Sequence, residues 1–384
     1  MKRRATAARV PTHDESVCSR NAERDGARLT TCILPRLVPA SMTTALPALQ
    51  QSFARAFERR EPATWLVRAP GRVNVIGEHT DYNDLPVLPI ALQREVRVLL
   101  APRDDARVRL CNVDARYGPR EFECSAEIAP FEQGDWGNYA KAAVQLFARE
   151  LRARRGFDAL VASTLPPAAG LSSSSALVVA CALALSAANA FDLPALELAE
   201  RCARAERYVG TNSGGMDQTA CLAGRADHAL KIDFAPLRVE AVPLPSTWRF
   251  IVAHSLVLAD KSGAARGAYN ARRLECENAL AGVARSSELD GTERTFPRLL
   301  ARYGAEQLSW IATRALEPGL LARFRHVIGE AARVERARRA LLAPDAETFG
   351  ALMNASHESL VHDFEVSHVE LDRLVACARA NGAL

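Results

Sequence analysis

Pro166-Pro167-Ala168-Ala169-Gly170-Leu171-Ser172-Ser173-Ser174-Ser175 is the most informative segment of this chain. Strand-like residues 159–165 precede it and a long apolar helical run follows. A strand, a turn of small residues and serines opening a helix form an anion site. The free amides of the first helical turn and the helix dipole stabilise phosphate oxygens, and serine hydroxyls add donors or a magnesium ligand. The alternative is a serine N-cap on a buried helix, which accounts for one serine but not four. No G-K-[ST] occurs, so this is not a Walker A loop.

Two further polar clusters flank that stretch. Asp217 stands in Gly210-Thr211-Asn212-Ser213-Gly214-Gly215-Met216-Asp217-Gln218, where a glycine pair before a carboxylate lets backbone approach a ligand closely. A turn with a helix-capping aspartate is the other reading. Upstream, Arg72, Glu78, His79 and Asp81 gather in one loop between strand-like segments. Such donors and acceptors suit a polyhydroxylated ligand, because each hydroxyl both donates and accepts. A solvated polar turn is the alternative there. His357-Glu358-Ser359-Leu360-Val361-His362 misses H-E-x-x-H by one residue, and Trp136, Trp248 and Trp310 read as packing.

Composition excludes several classes. The 384 residues are 48% hydrophobic and 24% charged, an ordinary globular balance with length for two or three domains. The net charge of +4 falls entirely in residues 1–41, which carry eight basic and four acidic residues. The remainder is charge-neutral, which is no signature of a nucleic-acid binder. Nine scattered cysteines without a C-x-x-C pair indicate buried thiols in a reduced, cytoplasmic setting rather than a disulfide framework or zinc site. The longest apolar run, residues 176–185, is too short to span a membrane.

Periodicity predicts helices at 49–57, 139–152, after the serine run that ends at 175, and at 197–208, 267–283, 321–342 and 349–362. Strands are expected at 64–68, ending in the turn Ala69-Pro70-Gly71, and at 73–76, 87–92, 96–100, 108–112, 159–165, 229–233 and 249–254. The class is α+β. Residues 1–41 show neither period and precede Met42, so they are expected to be a non-native gene-start extension or a disordered tail. Residues 42–235 would form the N-terminal domain, and 236–384 the C-terminal one.

Ala69-Pro70-Gly71-Arg72-Val73-Asn74-Val75-Ile76-Gly77-Glu78-His79-Thr80-Asp81-Tyr82-Asn83 resembles the signature of the galactokinase branch of the GHMP kinases. The serine stretch resembles the family's phosphate loop. Residues 214–218 resemble its G-x-M-D-Q segment, and 267–277 its Y-N-x-R-R-x-x-C-E stretch. The likeness covers residues 50–384. It implies a two-domain GHMP kinase fold, with an N-terminal domain like ribosomal protein S5 domain 2 and a truncated ferredoxin-like C-terminal domain. The implied activity is ATP-dependent phosphorylation of the anomeric hydroxyl of α-D-galactose. Asp217 would be the base or anionic partner, with Arg72 beside it. Glu78, His79, Asp81, Gly214 and Tyr269 would bind sugar. Ala168, Ala169, Gly170, Leu171, Ser172, Ser173 and Ser174 would hold ATP, and Ser174 with Glu206 would hold Mg2+. The implied enzyme is a monomer that binds sugar and ATP, with neither nucleic acid nor membrane as partner.

Three departures qualify the resemblance. Ala168 stands where the family usually has glycine. The phosphate loop and Glu206-Arg207-Tyr208-Val209-Gly210-Thr211 are similar to the N-acetylgalactosamine kinase branch, so that sugar, or another, is the alternative substrate. The family's third, glycine-rich motif should begin almost where Asn381-Gly382-Ala383-Leu384 stops. On that ground the C-terminal domain is expected to be incomplete and this chain poorly active, and a sugar- and ATP-binding regulator is the alternative class.

Overall fold

Strand β1 (Trp65–Asn74) runs straight through Ala69-Pro70-Gly71, where the sequence predicts a turn. It pairs antiparallel with β2 (Pro89–Pro102), and the register slips between Pro70 and Arg72 to absorb the proline. β1 has β2 as its only partner strand among the described residues, so a residue without an N–H is tolerated there. β2 likewise joins the two strands expected at 87–92 and 96–100. Its exposed Gln93 and Arg94, which read as a break, lie where β2 passes from one neighbour, paired at Ile90 with Ala229, to another, paired from Val96 with Ser163.

The computed structural model describes residues 45–257 and 264–384. The expected extension, 1–41, lies outside them. A seven-stranded mixed sheet has the order β4-β3-β5-β2-β6-β7, with β1 on β2. Its other strands are β3 (Arg107–Asn112), β4 (Arg120–Glu123), β5 (Phe157–Ser163), β6 (His228–Phe234) and β7 (Leu237–Pro243). Among the described residues only β3 and β5 pair in parallel.

Side chains alternate across this sheet. Val98 and Leu100 of β2 face a core with α2 (Gly137–Leu151), α3 (Ser173–Asn189) and α4 (Ala195–Ala205). Leu99 and Ala101 face the other way and pack with Phe53 and Phe57 of α1 (Ala45–Phe57). Helix α3 is apolar around nearly its whole circumference, as a helix enclosed on all sides must be. Its serine-rich N-terminus is therefore anchored from behind. After a short 3-10 turn (Glu206–Val209), α5 (Met216–Ala223) brings Asp217 to the edge of β1.

The regular elements among the described residues beyond Pro243 are all helices: α6 (Ala264–Ala284), α7 (Phe296–Ala315), α8 (Pro318–Leu342), α9 (Ala346–His362) and α10 (Val369–Ala380). Local periodicity does not predict α7 and α10. The strand expected at 249–254 is not formed. A strand needs a neighbour for its backbone groups, and among the described residues none flanks this segment, whose Ile251 is 90% exposed. The ferredoxin-like sheet expected of this half is thus absent from its described residues. The helices rest on the sheet through an apolar seam in which Ile76, Leu88 and Val242 meet Val334, Leu341 and Phe349.

Candidate active site

Arg72 leaves β1 just past the register slip and enters a pocket of opposite charge. Its Nε lies 2.7 Å and one Nη 2.5 Å from the same oxygen, Oδ1 of Asp217, and its other Nη donates to the Gly170 carbonyl at 2.8 Å. Burial alone would lower the Arg72 pKa; Asp217, helped by Glu78 and Asp81, more than reverses this and raises it. Oδ2 of Asp217 accepts from the Ser172 hydroxyl at 2.5 Å and from Ser175 at 3.3 Å. The close approach of β1 to the serine loop needs Gly71, because a Cβ there would come within 2.6 Å of the Leu171 carbonyl.

The serine run divides its labour. Ser172 and Ser175 address Asp217. Ser172, Ser173 and Ser174, with Ala168 and Gly170, also line a cavity of about 620 Å³. Leu171 instead packs into the core and gives its carbonyl to the Arg72 amide, and Ala169 is not part of the lining. Ala168 and Ser172 both sit in the left-handed region, at φ 55° and 60°. That geometry explains why glycine is the easier residue at position 168.

Beyond Asp217 lies a second, polar lobe. Asp81 opens a 3-10 turn (Asp81–Asn83) and accepts the Gly214 amide at 3.1 Å. A Cβ on Gly214 would fall 2.2 Å from the Asp81 carbonyl carbon, so only glycine lets the two loops touch. His79 Nδ1 meets the Tyr82 hydroxyl at 2.9 Å, and its ring is walled by Tyr82, Tyr269 and Phe364. Burial pushes the Glu78 carboxyl up to about 7, with Arg72 pulling against it and Glu330 adding to it. Burial, reinforced by Asp217, raises Asp81 to about 6. Burial also lowers His79 to about 3, which leaves its imidazole neutral. Tyr269 rises well above its ordinary value through burial first and then Asp81 and Asp217, with a smaller contribution from Glu206. Glu206 is buried at the head of the 3-10 turn that follows α4, near enough for its charge to act on Tyr269.

Some residues of the site carry no local signal. Trp136, read as packing, does stack edge-on against Tyr117, but it also lines the cavity with Asn112, Arg116, Tyr117 and Tyr139. Phe364 follows α9 and reaches His79 only through folding. The Trp136-Gly137-Asn138-Tyr139 sequence was the one available hint, as an aromatic pair around the start of α2.

Residues 138–225 match the model of the GHMP kinases N terminal domain, and residues 51–102 match the galactokinase galactose-binding signature. A curated galactokinase of Roseiflexus sp. (strain RS-1) is 39% identical over 320 residues, spanning 82% of this chain and 77% of that one. The chain belongs to the galactokinase family. Lactococcus lactis galactokinase, solved in complex with galactose, superposes with a TM-score of 0.74 at 28% identity, covering 88% of this chain and 84% of that one. Methanococcus jannaschii mevalonate kinase matches at a TM-score of 0.50 and 17% identity over 82% of this chain and 84% of its own, a likeness of fold alone. The chain is thus a sugar kinase with the GHMP fold, and a galactokinase implies ATP as co-substrate.

Proposed function

We propose that the protein transfers the γ-phosphoryl group of ATP to the anomeric hydroxyl of galactose, between the two lobes that meet at Asp217. The observation that carries this reading is the position of Asp217. Its two oxygens are shared between Arg72 and the serine loop, with the Glu78, His79 and Asp81 cradle on the other side. The O1 hydroxyl of the sugar attacks the γ-phosphorus, the bond to ADP breaks, and the hydroxyl proton passes to Asp217. An Arg-paired carboxylate is a weak base, so Asp217 and Arg72 act chiefly by orienting O1 and balancing charge. Glu78, Asp81, the Gly214 backbone, Tyr269 and neutral His79 hold the sugar hydroxyls.

The roughly 620 Å³ cavity takes the nucleotide. Its aromatic wall, Tyr117, Trp136 and Tyr139, suits the base, while residues 168–174 and the α3 N-terminus take the phosphates. Mg2+ fits the donor set. Ser174 offers a hydroxyl on the cavity wall and Glu206 a buried carboxylate, and this cation needs few protein ligands once phosphates and waters complete its shell. When bound, Mg2+ would neutralise phosphate charge as it redistributes during transfer.

Coupled ADP-release assays test the reading. Galactose should be turned over, and Asp217→Asn should lower kcat by about 10²–10⁴-fold. Full turnover by that variant would overturn the assignment, and a preference for N-acetylgalactosamine would overturn the substrate.

A further inference from the structure

The Gly77–His79 backbone is held in an uncommon shape. Gly77 has φ 102° and His79 has φ 62°, and a Cβ on Gly77 would strike the Val87 Cα at 2.8 Å. Strained loops of this kind persist only where their surroundings over-determine them. The loop supplies part of its own restraint. The Thr80 hydroxyl donates to the Gly77 carbonyl at 2.9 Å, and the Asn83 side chain donates to the His79 carbonyl at 2.9 Å. Three further backbone groups, the Gly77 and Glu78 amides and the Glu78 carbonyl, are met by one helix about 250 residues away in sequence.

Glu330 of α8 is fully buried. Its Oε1 accepts the Gly77 amide at 2.8 Å, the Glu78 amide at 3.2 Å and the Ser356 hydroxyl at 2.6 Å. Its Oε2 takes Nε of Arg333 at 2.6 Å. His326, one turn earlier on α8 and also fully buried, faces the Glu78 carbonyl through Nε2 at 3.0 Å and the Ser359 hydroxyl through Nδ1 at 3.0 Å. A carbonyl only accepts, so Nε2 carries the proton. The His326 ring lies 4.4 Å from that of Phe364, whose ring centre is in turn 4.6 Å from that of His79.

We propose that Glu330 and His326 are positioning residues that clamp the Gly77–His79 backbone, and so set the affinity for the sugar without touching it. The clamp acts on the loop bearing Glu78 and His79 and leaves the cavity lined by the serine loop alone. It rests on the sugar-kinase reading above for its kinetic consequences, but not for its structural ones.

The experiment compares the full chain with Glu330→Gln, Glu330→Ala, His326→Phe and, as a core control on the same helix, Val327→Ala. Val327 is buried in the C-terminal core and belongs to the cluster around Phe324 and Ile328. Hydrogen exchange of peptides covering residues 77–80, without ligand, should accelerate in the Glu330 and His326 variants and stay unchanged in Val327→Ala. In steady-state assays Glu330→Ala should raise the galactose KM about 10- to 100-fold while the ATP KM stays within about two-fold, because two buried amides lose their acceptor. Glu330→Gln, which keeps an acceptor oxygen, should fall between it and the parent protein. If Glu330→Ala does not accumulate folded, Ser356→Ala, which removes one donor to Glu330, should show the same split more weakly. Unchanged exchange at 77–80, or galactose and ATP KM values rising in proportion, would overturn the clamp. Absence of galactose turnover by the parent protein would instead overturn the substrate assignment, and the exchange result would still decide the clamp.

Discussion

Glu78 and Asp81 show how single residues tie site chemistry to stability. Both carboxyls are held above their ordinary values of 4.5 and 3.8, at about 7 and about 6, by burial. Across that interval these two groups keep protons that the unfolded chain releases, so their contribution to stability falls as pH rises from about 4 to about 7, while His79, held neutral down to about 3, contributes in the opposite sense up to its ordinary 6.5. The contribution of Glu78 is isolated by urea denaturation of the parent and Glu78→Gln at a series of pH values: the stability of the parent relative to the variant should decline from about pH 4.5 to about 7. A relative stability that climbs through that interval would contradict the burial of Glu78. At Ala168 the alanine sits at φ 55°. Replacing it with glycine removes a strain of about 1–2 kcal/mol and adds back-chain entropy of about 0.5–1 kcal/mol, so Ala168→Gly should be neutral to slightly stabilising. Ala168→Val, which keeps the strain and adds bulk, should weaken ATP binding in a titration.

At the scale of elements, the site is made by close contacts between loops that helices and strands hold in place. The Gly214 loop meets the Asp81 turn with no room for a side chain, a Cβ falling 2.2 Å from the Asp81 carbonyl carbon. Gly214→Ala must therefore separate the α5 entry from the 3-10 turn. The expected outcome is a galactose KM raised by about 10-fold or more with the fold retained, since misplacements of about 1 Å are that costly. Isothermal titration with galactose checks it, and unaltered affinity would mean that the two loops need not touch for sugar to bind. The elements also show what local pattern conveys and what it misses. The helices at 139–152, 321–342 and 349–362 were legible because their apolar periodicity reports burial on one face. β1 and β2 were each read as two strands. Proline, glycine and paired polar residues signal a break locally, while the partner strand supplies hydrogen bonds across it. The segment 249–254 is the converse, a β-like composition with no partner among the described residues.

For the whole molecule, the deciding contact is the seam between sheet and C-terminal helices. Ile76 and Leu88 stand beside the Gly77–His79 loop, and Val334, Leu341 and Phe349 close over them. An apolar interface of this kind couples the two halves, so thermal unfolding should proceed in one transition and not two. Phe349 is 4% exposed, and Phe349→Ala should cost about 3–5 kcal/mol through lost burial and the cavity left behind. Calorimetry reads both outcomes. Two separated transitions, or a Phe349→Ala protein of parental stability, would mean that the seam contributes little. Among the described residues no helix is long and apolar enough to cross a membrane.

The sequence alone singles out the groups proposed to react. Arg72, Asp217, the serine run and the Glu78–Asp81 loop are chemically distinctive, and each works through residue types and spacings that survive in a linear reading. It also determined the class, because those three clusters occur in one order along a chain with alternating strand and helix periods. Only the tertiary structure decided how these groups share their bonds. Ser172 and Ser175 turn to Asp217, while Ser173 and Ser174 face the cavity. It alone brought Phe364, His326 and Glu330 to the Gly77–His79 loop, because contacts between residues hundreds of positions apart arise from packing two apolar faces together. A buried glutamate on a helix looks like any other until the two backbone amides it satisfies are folded against it.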